Sequence, residues 1–66
     1  MDRKIVFDDS YYAERAHEEA PWLIRNAEHR VIGHYNPKVG LSWGALMLEA
    51  DKEWLQKLIQ LKLGNN

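Results

Sequence analysis

The chain has no cysteine, so neither disulfides nor thiolate metal sites can hold it together. It has no large charge excess either. Nine basic residues face ten acidic ones, for a formal charge of −1, and this gives no overall drive toward nucleic acid or anionic membrane. No run approaches the roughly 20 apolar residues of a membrane span. "MDRKIVFDDS" lacks the apolar stretch of a signal peptide. There is no internal repeat and no low-complexity tract. These absences point to a single small domain in the cytoplasm.

At 66 residues the chain buries a smaller share of its surface than larger domains do. With no cross-links, stability must come from dense packing or from association. Three tryptophans supply large apolar surface for either. Charge is unevenly placed. Residues 1–28 hold seven acids and four bases, and residues 29–66 hold three acids and five bases.

"RKIVF", residues 3–7, is short and β-branched and reads as a strand. Asp8, Asp9 and Ser10 are N-cap candidates for a helix over 10–28. On a helical wheel, Tyr12, Ala13, Ala16, Ala20, Leu23, Ile24 and Ala27 fall within one arc of about 120°. The arc keeps its phase across Pro21, and Pro21 itself falls on the solvent side. This predicts one helix bent at Pro21, about 28 Å long at 1.5 Å per residue. A break at Pro21, with proline opening a second helix, is the alternative.

"HRVIGHY", residues 29–35, reads as a second strand, and residues 36–41 as a turn. A C-terminal helix over 43–62 follows, capped by Ser42 and stopped by Gly64, with a frayed tail at 64–66. Its apolar arc exceeds about 200°, roughly double what one packing layer requires. The expected fold is therefore α+β, helix-dominated, in β-α-β-α order. Its expected core is Ile5, Phe7, Tyr12, Ala16, Ala20, Leu23, Ile24, Val31, Met47, Trp54, Leu58 and Leu61.

Two apolar or aromatic sets are left over for function. Leu48, Leu55 and Ile59 form a seam for self-association, unless the small sheet covers it. Closed two-fold dimers are the commonest outcome of such a seam. Tyr11, Arg15, Glu18, Trp22, Arg25 and His29 share the off-core side of the first helix, and aromatic and Arg residues are enriched in binding hot spots. The bland reading has Trp22 folding back over the kink with Arg15 and Arg25 stacked on the aromatics, or buried by the neighbouring strand. Asp8, Asp9, Glu14, Glu18 and Glu19 invite a nucleic-acid-mimic reading, but acids are common at helix starts for dipole reasons.

Nothing names a chemistry. His17, His29 and His34 lack metal-ligand spacing, and the glycines lack a phosphate-binding pattern. No catalytic residue, metal or cofactor is expected, short of a site assembled across a dimer. DNA binding has one route, an N-terminal β-ribbon across a dimer that lays Arg3 and Lys4 in the major groove. The sequence thus favours a non-catalytic protein-interaction module, an inhibitor or adaptor docking on a larger protein. A dimeric DNA-binding regulator is the alternative.

Overall fold

In the computed structural model, residues 3–64 are described. Five strands precede one helix: β1 (Lys4–Val6), β2 (Tyr11–Glu14), β3 (Trp22–Asn26), β4 (Val31–Asn36), β5 (Gly40–Trp43) and α1 (Glu49–Leu63). The strands form one antiparallel sheet in the order β1-β2-β3-β4-β5, so every pair is a hairpin between consecutive strands. The helix packs on one face of this sheet. The expected helix-dominated β-α-β-α order is overturned.

The correction centres on residues 10–28, which hold two strands and no helix. Tyr11 and Ala13 are buried, while Tyr12 and Glu14 between and beyond them are half-buried. Trp22 and Ile24 are buried, while Leu23 and Arg25 are not. That is the period-two alternation of a half-buried strand. The helical arc rested mainly on alanines, which bury little area in any conformation. Ala16 and Ala27 are in fact exposed. Trp22, off the arc, carries the 150–250 Å² or so of an aromatic side chain, and the chain folds to bury that. Pro21 neither bends nor opens a helix. It closes the 15–21 loop and leads into β3, where its fixed φ suits extended backbone.

The register shows what the sheet exposes. Ile5, Ala13, Ile24, Gly33 and Trp43 lie in one row across the five strands and face the helix. Lys4, Glu14, Leu23, His34 and Ser42 form the next row, on the outer face. A register shift at Ile24/Arg25 leaves Ile32 without a partner residue, a β-bulge. Ile32 and Gly33 are consequently both buried. Several expected core residues are off by one position: Tyr12, Leu23 and Val31 lie on the outer face, and Tyr11, Trp22 and Ile32 are the buried neighbours. In a strand, a one-residue slip exchanges the two faces.

The second expected strand and the turn shift with the sheet. Residues 31–36 form β4, and the chain turns at 37–39. Gly40 at φ 113° then starts β5 inside the segment expected to be a turn. Val39 N donates to Asn36 O across that turn at 3.0 Å. The helix begins at Glu49 instead of residue 43, because Gly40–Trp43 pairs with β4. Leu48 stands at its N-cap without a side-chain cap bond, so Ser42 does not cap it. Gly64 does close its C-terminus, with its N–H on Gln60 O. Asn65 and Asn66, the rest of the expected frayed tail, lie outside the described residues.

On α1 the buried residues are Leu55, Ile59 and Leu63, at i, i+4 and i+8. They meet Phe7, Tyr11, Ala13, Trp22, Ile24, Ile32, Tyr35 and Met47 in one core, flanked by Ile5, Leu41, Trp43 and Leu58. Trp54 sits at the core margin and Leu61 is 65% exposed, so these two do not belong to the core as expected. Among the described residues no helix is long and apolar enough to cross a membrane.

Candidate interaction surface

The residues expected to form a partner surface on the first helix do not share a face. Tyr11 and Trp22 are 5% and 4% exposed and belong to the chain's own core. The Tyr11 hydroxyl donates to Asp51 Oδ2 at 2.5 Å, and Trp54 Nε1 donates to Asp51 Oδ1 at 3.0 Å. Burial, reinforced by the Asp51 hydrogen bond and charge, pushes the Tyr11 phenol up to about 12. The hydrogen bonds from Tyr11 and Trp54 lower the Asp51 carboxyl below its ordinary value.

Arg15 lies over the Trp22 ring, 4.4 Å from guanidinium carbon to centroid, and its Nη1 donates to Glu18 O at 3.0 Å. Trp22 is thus packed on its own chain beneath Arg15, but there is no kinked helix for it to fold over and Arg25 is engaged elsewhere. Glu18 is exposed in the 15–21 loop. Arg25 is on the outer face, where its Nε donates to Glu14 Oε2 at 2.8 Å and its Nη1 to His29 O at 2.7 Å. His29 takes the left-handed turn position at φ 67°, and its Nδ1 is 2.8 Å from the Tyr12 hydroxyl.

The expected self-association seam is divided. Leu55 and Ile59 are fully buried against the sheet, while Leu48 is 62% exposed at the helix start. Leu55 and Ile59 are therefore not open to a second chain in this fold. Arg3 and Lys4 are exposed at the β1 edge, and Lys4 Nζ sits 4.7 Å from the Tyr12 ring centroid. One side of β1 is already paired with β2.

A solvent-open cleft of about 390 Å³ lies beside the helix start, between Asn26, Arg30, Leu46, Leu48 and Asp51. Glu28 and Asp51 are its two carboxylates, and Asp51 is already held by Tyr11 and Trp54. Among the described residues no cluster of three or more His, Asp or Glu side chains is placed to hold a metal.

The feature that sequence reasoning missed is the free edge of β5. Gly44 N donates to Ile32 O at 2.8 Å. With the β4–β5 register, that bond sets the alternation of an antiparallel ladder. Gly40, Ser42 and Gly44 turn their backbone groups toward β4. Leu41 and Trp43 turn their N–H and C=O groups outward. Trp43 lies flat across Gly33 on the core face, where a Cβ at Gly33 would come within 3.0 Å of the indole. Ser42 alone carries a side chain on the outer face of this strand.

Among the described residues, β5 itself carries none of the usual guards, while Lys57 of α1 lines a cleft with Gly40 and Leu41. Sheet edges are generally blunted by charge, proline, bulges or a covering element. β5 contains none of these side chains, and it belongs to the longest uncharged run of the sequence, residues 39–48. Three of the exposed large apolar residues, Val39, Leu46 and Leu48, come from the same run. That run is visible in the sequence, but its centre reads there as a turn and a helix start. The opposite edge differs: β1 carries Lys4, with Arg3, Asp8 and Asp9 around it. Comparison with protein-family models, with curated proteins and with solved structures finds no match to the chain.

Proposed function

We propose that this chain is a small non-catalytic protein-interaction module, an adaptor or inhibitor that accepts an extended strand of another protein chain along the free edge of β5. The observation that carries the reading is the free edge itself. Leu41 and Trp43 present outward backbone donors and acceptors on a strand with no charged residue of its own, and Lys57 and Leu61 of α1 line a cleft beside Gly40 and Leu41. In strand addition, main-chain hydrogen bonds supply affinity and the alternating side chains supply specificity. Here the half-buried Leu41 and Trp43 would meet the incoming strand on the core face, and Ser42 on the outer face. The nucleic-acid reading draws less support, because Lys4 lies over Tyr12 and one side of β1 is already paired.

The test is amide hydrogen exchange on the complex with the binding partner isolated from the native host. The Leu41 and Trp43 amides should slow on binding, and Ser42→Lys should weaken binding by about tenfold or more, since edge lysines oppose strand pairing. Protection confined to the outer sheet face, or to the cleft at the helix start, would overturn the assignment.

A further inference from the structure

The strand that fits this edge best is β5 itself. We infer that two copies of the chain pair β5 to β5 in antiparallel fashion about a two-fold axis through Ser42, joining their sheets into one of ten strands. This inference rests on the strand-addition reading and names its partner.

The register follows from which residues face outward. Leu41 and Trp43 direct their backbone groups away from β4, so they must form the hydrogen-bonded pairs of a new ladder. With the axis on Ser42, Leu41 of each copy lies opposite Trp43 of the other. Both copies then use the two outward residues of the strand proper. Centring on Leu41 instead would draw Val39, in the turn, into the ladder. Centring on Trp43 would oppose the two indoles and draw in Ala45, beyond the strand.

Side chains agree with this register on both faces. On the core face each half-buried indole meets a half-buried leucine, the aromatic–aliphatic kind of cross-strand pair that stabilises sheets. On the outer face Ser42 meets Ser42 at the axis, where two hydroxyls can exchange a hydrogen bond. Gly40 and Gly44 flank the pairs and offer no steric barrier. Because residues 39–48 are uncharged, the paired strands themselves set no like charges against each other, and Lys57 of α1 is the charged group beside them. The β1 edge would bring together a lysine-bearing strand and its copy. An isologous contact also closes: the patch on one copy is the patch on the other.

The absence of cysteine makes a clean test available. Ser42 would sit at a non-hydrogen-bonded pair, with Cα atoms about 4.5 Å apart. That lies within the roughly 4.4–6.8 Å span of disulfides. Under mild oxidation Ser42→Cys should form a covalent dimer at dilute concentration, well ahead of a Lys4→Cys control on the opposite edge. Light scattering should show the wild-type chain dimeric, and Ser42→Lys shifted to monomer.

A wild-type chain that stays monomeric at high concentration overturns the self-pairing. In that case, protection of the Leu41 and Trp43 amides by a different protein would leave the strand-addition reading standing, and no protection by any partner would remove both. A wild-type dimer whose Ser42→Cys variant cross-links no faster than the control also overturns it, because the contact then lies elsewhere. Should either variant fail to fold, concentration-dependent slowing of the wild-type Leu41 and Trp43 amides supports the β5 contact without any substitution. Slowing elsewhere alone counts against it.

Discussion

At the scale of single residues, the pair formed by Tyr11 and Asp51 ties the start of α1 to β2 and makes stability depend on pH at both extremes. The Tyr11 phenol is raised to about 12 in the fold, above its ordinary value of 10.0. The unfolded chain therefore ionises first. This contribution is complete below pH 10 and is lost as pH climbs toward 12. Asp51 works in the opposite sense. Its carboxyl is lowered in the fold, so its contribution holds above the ordinary carboxylate range and fades as pH falls through the lowered value. In an alkaline titration followed by tyrosinate absorbance, Tyr11→Phe should remove a step near pH 12. Trp22 tests the other reassigned aromatic. Trp22→Ala should cost about 3–5 kcal/mol by denaturant unfolding, the range for emptying a buried tryptophan site. In a domain this small that is most or all of the net stability. An unchanged unfolding midpoint would contradict its place in the core.

At the scale of elements, residues 10–28 show where local signals lose to burial. A seven-residue loop rich in alanine and glutamate joins β2 to β3, and "RAHEEAP" has good helical composition. Propensity there is a weak prior, and burial of Tyr11, Trp22 and Ile24 overrides it. The strand at 3–7 and the existence of a C-terminal helix ending at Gly64 were legible, because β-branched and helix-stop signals are local. β5 was not legible. Four residues bounded by glycines carry too little alternation to separate a strand from a turn, and only the pairing with β4 defines it. The candidate surface was illegible for the same reason, since an edge exists only once the strand order is known. On α1, the wide apolar arc was visible but not which part of it packs. Leu55→Ala should lose about 2–5 kcal/mol, whereas Leu61→Ala should stay within about 0.5 kcal/mol of wild type. Equal losses in thermal or denaturant unfolding would return Leu61 to the core.

At the scale of the whole molecule, every strand pairs with its neighbour in sequence, and the sheet is a ribbon with two different ends. A ribbon whose ends are unlike has two ways to associate. Like ends meeting across a two-fold axis stop after one step, whereas unlike ends meeting head to tail close into rings or grow into open filaments. On the β5 pairing proposed above, the charged end at β1 would oppose further growth. Lys4 holds its ammonium over Tyr12 at the rim of that end, in the manner of a gatekeeper residue. Lys4→Val should therefore do more than relieve a charge. With both β5 edges engaged in the proposed pair, it should allow the β1 edges of successive pairs to join, and turn a closed pair into a growing filament. Light scattering that rises with time and concentration for Lys4→Val, and stays flat for wild type, is the expected record; equal behaviour would show that the lysine guards nothing. On the proposed pairing, one surface lysine would then mark the difference between an assembly of fixed size and a polymer.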